Sequence, residues 1–200
     1  MTRARLTGDE RRAQLLDVAG ALFADLGYHG LSMEHLADAA GVSKPVLYQH
    51  FPSKRELYLA LVRDTVEHME SRVREALDGT TDNRARVHGA IAAYVDFVED
   101  PRFSLLFGPG GPADDEEVQQ VVQAANASLA GAVGELIAED AGLDMAGALL
   151  LSSALRGLAL DGARWWTEHH DLDLDKAQAV KLLSRLAWRG IGGFSPDAVV

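Results

Sequence analysis

Apolar residues recur at helical intervals along nearly the whole chain, and strand-like alternation is almost absent. In residues 9–26, Leu15, Val18, Ala19, Leu22, Phe23 and Leu26 fall on one face, and Gly27 ends the run. Residues 32–40 (SMEHLADAA) place Met33, Leu36, Ala37 and Ala40 on one side of a short helix opened by Ser32. Residues 54–77 repeat the pattern with Leu57, Leu61, Val62, Val66, Met69, Val73 and Leu77 before Gly79. Asp82 starts a helix carrying Val87, Ile91, Tyr94, Val95 and Val98, which Pro101 stops. After the short segment Phe103–Phe107, the GPGGP run at 108–112 excludes regular helix or strand. Helices then run from about Asp114 to about Asp140, from Met145 to Trp166, and over 176–191. The pattern predicts an all-α protein.

Residues 41–58 add chemistry to this pattern. Gly41 stands where a helix commonly ends in a left-handed residue, and Ser43 then supplies a new N-cap. Lys44 and Pro45 fill the first turn, where the missing proline N–H costs nothing. Leu47 and Phe51, one turn apart, face inward, while Lys44, Pro45, Tyr48, Gln49 and His50 are left facing outward. Ser53 opens the next helix, with Glu56 placed to complete a capping box. Lys54 and Arg55 stand at that helix's N-terminus, where its dipole disfavours positive charge, so a docked polyanion would relieve the conflict. Two short helices joined by a glycine-containing turn form the helix-turn-helix pattern, whose second helix can lie in the major groove of DNA. A helical hairpin inside a bundle core would leave Lys44, Tyr48, Gln49 and His50 without a reason to share one face.

Residues 9–58 resemble the DNA-binding region of the TetR family of bacterial transcriptional regulators. The likeness lies at Leu36-Ala37, Ala40-Gly41-Val42-Ser43, Leu47-Tyr48, His50-Phe51 and Lys54-Arg55-Glu56-Leu57. It implies an N-terminal three-helix DNA-binding domain with a helix-turn-helix (residues 1–58) and a larger helical effector-binding and dimerisation domain (59–200). The DNA-binding set expected on this basis is Ser32, Ser43, Lys44, Pro45, Val46, Tyr48, Gln49, His50 and Lys54, with double-stranded operator DNA as the partner. Tyr48, His50 and Lys54 match positions that touch the DNA backbone in the family. Lys44, Pro45 and Gln49 are placed to read bases, since Gln can bridge adenine N6 and N7. Val46 has two competing roles, thymine-methyl contact and core packing.

Net charge changes the picture only after the chain is divided. Residues 1–60 hold as many basic as acidic side chains, so the whole formal charge of −11 belongs to the remainder, which should point away from DNA. With no cysteine there is neither a disulfide framework nor thiolate chemistry. No stretch reads as an uninterrupted apolar bilayer span and no leader follows Met1, so a cytoplasmic protein without membrane association is expected. The acids at 114–117 could suggest a metal site, but helix-start electrostatics explains them more simply. His169 and His170 with Asp171, Asp173 and Asp175 read as a solvated polar loop. No catalytic constellation emerges, and no metal or cofactor is implied.

An apolar small-molecule effector is expected in the second domain. Tyr94, Phe97, Phe103, Leu106 and Phe107 supply an aromatic and aliphatic wall beside the broken GPGGP segment, with Val122 and Leu129 opposite and Leu158 also in the expected effector set. The helix from Met145 to Trp166 is apolar on almost every side, interrupted mainly by Arg156, Asp161 and Arg164, and so needs covering on more than one face. TetR-like regulators pair through their last two helices, which implies a homodimer interface here at Leu155, Ala159, Trp166, Leu183, Leu186 and Ala187. The second half is also similar to actinobacterial regulators of fatty-acid synthesis within the family, which respond to long-chain acyl-CoA. That likeness rests on Asp82-Asn83-Arg84, Tyr94-Val-Asp-Phe-Val98, Leu105-Leu-Phe107 and Ile137-Ala-Glu-Asp140, together with Val46 to Lys54. Two alternatives stay open. One is a multidrug-sensing repressor using Asp96 and Glu99 for lipophilic cations; the other is a helical small-molecule-binding or catalytic protein with an incidental helix-turn-helix.

Overall fold

The computed structural model describes residues 6–103, 115–169 and 171–191. Among these residues there are eight helices and no strand: α1 (Gly8–Gly30), α2 (Met33–Ala40), α3 (Lys44–His50), α4 (Lys54–Asp78), α5 (Asn83–Glu99), α6 (Glu116–Ala141), α7 (Met145–Glu168) and α8 (Lys176–Ile191). Short polar side chains set most of the helix starts. Thr7 opens α1 with a reciprocal capping box: its Oγ1 accepts from the Glu10 N–H at 3.3 Å, and its own N–H donates to the Glu10 carboxylate at 2.7 Å. Ser32 accepts from the His35 N–H, Ser53 from Glu56, Asp82 from Arg84, Asp144 from Gly147 and Asp175 from Gln178, at 2.8–3.1 Å.

Glycine sets two of the breaks. Gly27 (φ 69°) interrupts α1 where the apolar run ends, and Gly41 (φ 64°) closes α2, its N–H directed at the Ala37 and Asp38 carbonyls. Ser43 departs from expectation. It occupies the N-cap position of α3, and its carbonyl accepts from Val46 and Leu47, but its hydroxyl makes no capping hydrogen bond. The box at Ser53 is also only half made, because the Glu56 carboxylate lies 3.7 Å from Arg55 instead.

The chain forms two compact units. The first comprises residues 1–66 with 101–122; the second comprises 67–100 with 123–200. This differs from a single boundary at residue 58, and burial supplies the reason. Leu57, Leu61 and Val62 of α4 and Val118 of α6 enter the same core as Leu15, Phe23, Leu36, Leu47 and Phe51. In the second unit α5 packs against both α7 and α8, which also meet each other. Its core collects Val73, Leu77, Ile91, Tyr94, Val95, Leu129, Ile137, Ala148, Ala159, Trp166 and Ala187. Both α4 and α6 run without a break from one unit into the other.

By length and composition α6 could cross a bilayer, a possibility the sequence reading excluded. Its buried residues go instead to protein cores: Val118 to the first, Leu129, Ile137 and Ala141 to the second.

The Gly41 turn yields a direct test. A Cβ there would meet no atom within 4 Å, so Gly41→Ala is penalised only by its left-handed backbone. The expected loss is about 1–2 kcal/mol in urea denaturation; an unchanged midpoint would show that the turn relaxes to another conformation.

Candidate nucleic-acid interface and effector cavity

Helix α3 has seven residues and owes its place to two anchors. Leu47 is fully buried and Phe51 nearly so, each in the first core. The opposite surface carries Lys44, Pro45, Tyr48 and Gln49, all exposed, with Val46 and His50 half-buried at its edges. Ser43 adds a hydroxyl unbonded to the cap, and Ser32 an exposed residue at the start of α2. The structure therefore brings the expected DNA-binding residues of α2, α3 and their caps onto one small unit.

Electrostatics distinguishes the cations on this unit. Lys44 pairs with Glu34 of α2; the contact raises the ammonium's pKa and holds the carboxyl below its usual value. The Lys54 ammonium stands 4.6 Å from the Tyr28 ring centroid, and partial burial lowers its pKa. Arg12 lies over the Phe51 ring at 4.4 Å and donates to the His50 carbonyl at 3.2 Å, supporting the end of α3. Arg55, expected to leave a conflict for a polyanion to relieve, already has partners. Its guanidinium grips Asp115 through Nε (2.7 Å) and Nη2 (2.9 Å), and reaches Glu117 at 3.0 Å. Glu117 also accepts from Arg63 at 2.7 Å. The Arg55 contact, together with the N–H groups of Val118 and Glu117, holds the Asp115 carboxyl below its usual range.

The second unit has a cavity of about 100 Å³ among α4, α5, α6, α7 and α8. Its wall is mostly carbon, including Val73, Leu77, Ile91, Val133, Leu136, Ile137 and Trp188, with Tyr94 and Leu129 from the expected effector set. Leu155 and Ala159, expected at a dimer interface, also line it. The other described residues of the expected wall lie elsewhere. Phe97 is buried beside a polar cleft with His68, Arg72, Asp96 and Asp100; Phe103 and Val122 belong to the first unit. Leu158 is half-buried and not on the wall, and Leu106 and Phe107 lie outside the described residues. The polar lining residues Asn83, Arg86, Asp140, Ser152 and Arg156 had not been anticipated. One signal for Arg156 was available, as a cation interrupting an apolar helix.

Asp96 and Glu99 are engaged: Lys176 reaches both at 2.5–2.6 Å, and Arg72 lies 3.7 Å from Asp96. On the last two helices Trp166 and Ala187 are buried, and the Trp166 indole N–H donates to the Leu174 carbonyl at 2.8 Å. Leu183 is half-buried. The apolar surface left open is Leu150 and Trp165 on α7 with Leu182 and Leu186 on α8, each at least half exposed. Among the described residues no His, Asp or Glu cluster is arranged to hold a metal.

A short helix held by two buried side chains, with its polar face outward after a glycine turn, defines a helix-turn-helix DNA-binding regulator. Residues 15–61 match the family described as bacterial regulatory proteins, tetR family. The chain is also 43% identical over 188 residues to the HTH-type transcriptional activator FasR of Mycolicibacterium smegmatis, covering 94% of this chain and 85% of that one. It belongs to the TetR family of transcriptional regulators. Among solved structures, a TetR-like transcriptional regulator from Rhodococcus sp. RHA1 superposes with a TM-score of 0.71 at 27% identity, over 94% of this chain and all of that one. The regulator FadR from Bacillus subtilis, solved in complex with stearoyl-CoA, shares the fold with a TM-score of 0.69 at 16% identity, over 94% and 99% of the two chains.

Anchoring and presentation should separate under mutation. Leu47→Ala, which empties a fully buried site, is expected to cost about 2–5 kcal/mol in chemical denaturation. Tyr48→Ala, at a side chain 46% exposed, should stay within about 0.5 kcal/mol of the wild type. Equal losses would mean that Tyr48 is part of the core.

Proposed function

We propose that this regulator is a homodimer that reads operator DNA with α3 and binds an apolar effector in the cavity of its second unit. The observation that carries the DNA reading is the division of α3 into buried Leu47 and Phe51 and an exposed front of Lys44, Pro45, Tyr48 and Gln49. On B-DNA the two recognition helices of a dimer need centres about 34–36 Å apart, or a multiple of that. An effector acts by favouring one separation over another, since equal affinity for both states would shift nothing. α4 and α6 are the continuous elements through which it would do so.

A long acyl chain is the effector class best supported. The cavity wall is nearly all carbon, and FadR from Bacillus subtilis, which shares the fold, was solved in complex with stearoyl-CoA. At about 100 Å³ the cavity would have to widen to admit such a chain, which is a structural change available for coupling to DNA. A multidrug sensor gains less support, because the acids it would need, Asp96 and Glu99, are already neutralised by Lys176 and Arg72. Dimerisation is supported by the open apolar residues of α7 and α8, and a two-fold pair is the commonest way of covering such a surface.

The experiment that tests DNA reading is fluorescence anisotropy on the DNA upstream of the protein's own gene and on random duplex, with and without palmitoyl-CoA. Wild type should prefer the upstream DNA and change its affinity when palmitoyl-CoA is added. Gln49→Ala should lose about 1–3 kcal/mol on the upstream DNA and little on random DNA. Lys54→Ala should weaken both alike and reduce the salt slope by about 0.9. No preference for upstream DNA in the wild type would refute the operator reading, and no response to palmitoyl-CoA would refute the acyl-CoA assignment.

Leu186, 62% exposed on α8, gives the test of assembly. Leu186→Glu is expected to convert a dimer into a folded monomer in sedimentation velocity. A dimer that survives the change places the interface elsewhere.

A further inference from the structure

Two arginines line the cavity, and only one is spoken for. Arg86 donates through Nε to the Leu77 and Thr80 carbonyls at 2.8 Å, and through Nη1 to the Asn83 side-chain oxygen at 2.9 Å. It closes the C-terminal end of α4, where positive charge complements the helix dipole. Arg156, in the middle of α7, is half-buried and makes no hydrogen bond or ion pair with any described residue. A guanidinium keeps its proton at any physiological pH, so it brings a permanent charge to an otherwise carbon wall. Asp140 is the single carboxylate on that wall; it is solvent-exposed and does not pair with Arg156.

Two hydroxyls accompany this charge. Ser152 is buried and lies one turn before Arg156 on the same face of α7. Tyr94 faces the cavity from α5, and Arg156 is close enough to act on its hydroxyl electrostatically. Burial pushes the Tyr94 hydroxyl up to about 12, so it remains a proton donor throughout the physiological range. A guanidinium and two hydroxyls on the wall of one carbon-lined cavity suit one kind of guest: an apolar chain ending in an anion.

We propose that Arg156, with the hydroxyls of Tyr94 and Ser152, is the anion-binding pole of the cavity, and that the effector is an apolar chain with a negatively charged head. This rests on the assignment of the cavity as the effector site. The anion has two possible sources, the carboxylate of a free fatty acid and the phosphates of an acyl-CoA. A neutral chain leaves Arg156 uncompensated in its half-buried place, and a cationic one is repelled.

The test is a titration of the full chain with palmitate, palmitoyl-CoA and the neutral ester methyl palmitate, followed by calorimetry and by the fluorescence of the cavity-lining Trp188. In the wild type at least one anionic ligand should bind tenfold or more tightly than methyl palmitate. Arg156→Gln should remove that preference while leaving the ester's affinity within about threefold, and Arg156→Lys should restore part of it. Loss of palmitate binding alone assigns the pole to the carboxylate; loss of palmitoyl-CoA binding alone assigns it to the phosphates. Equal affinity for the ester and both anions in the wild type overturns the proposal without needing any variant, and leaves the apolar effector site standing. A parallel loss of the ester in Arg156→Gln overturns it too, by showing that Arg156 only packs. If none of the three ligands binds, the effector assignment of the cavity falls, and the anion pole with it.

Discussion

A seven-residue helix has too few hydrogen bonds to persist in water by itself. The existence and direction of α3 therefore depend on the burial of Leu47 and Phe51 in the first core. Removing such side chains from water contributes about 1.5–3 kcal/mol each, which adds to the helix's own hydrogen bonds in opposing the conformational entropy lost when it orders. The two anchors also fix its rotation: with both buried, Lys44, Tyr48 and Gln49 can only face outward. Arg12 reinforces the same end, capping the His50 carbonyl and covering the Phe51 ring. The outward presentation of this polar face is thus a consequence of hydrophobic burial first and of charge second.

Charge organises what surrounds that core. The acidic excess is partly committed to intramolecular pairs: Asp115 and Glu117 with Arg55 and Arg63 in the first unit, Asp96 and Glu99 with Arg72 and Lys176 in the second. Apart from Asp115, which is largely buried in its bidentate pair with Arg55, these groups are substantially exposed, so those pairs add little stability. Their effect is on placement. Arg55, at the start of α4, holds the start of α6, and these are the two helices that continue into the unit with the cavity.

The helix-turn-helix was legible because its signals are local. Gly41, Pro45 and the placing of Ala40 one turn after Leu36 and Ala37 act within one or two turns. The grouping of residues 101–122 with the first unit was not, because Val118 and Asp115 meet partners more than fifty residues away, and periodicity carries no such information. The cavity failed to match the expected wall for a related reason. Phe97 and Phe103 are neighbours in sequence, whereas the wall is drawn from five helices. On α7 and α8 the apolar residues surround the helix, so the pattern fixes no rotation. Trp166 turns inward while Trp165 is half exposed, and Ala187 turns inward beside exposed Leu186. The Ser43 hydroxyl shows a further limit: the residue type marks a cap position without deciding where its side chain bonds.

The central claim is that the cavity and the recognition helix are energetically coupled, and coupling must be reciprocal. The most direct measurement is the affinity of palmitoyl-CoA for the free protein and for the protein saturated with its upstream DNA. A difference of about fivefold or more between the two is expected, equal within error to the change in DNA affinity that palmitoyl-CoA produces. Identical affinities with and without DNA would contradict a regulator switched through this cavity.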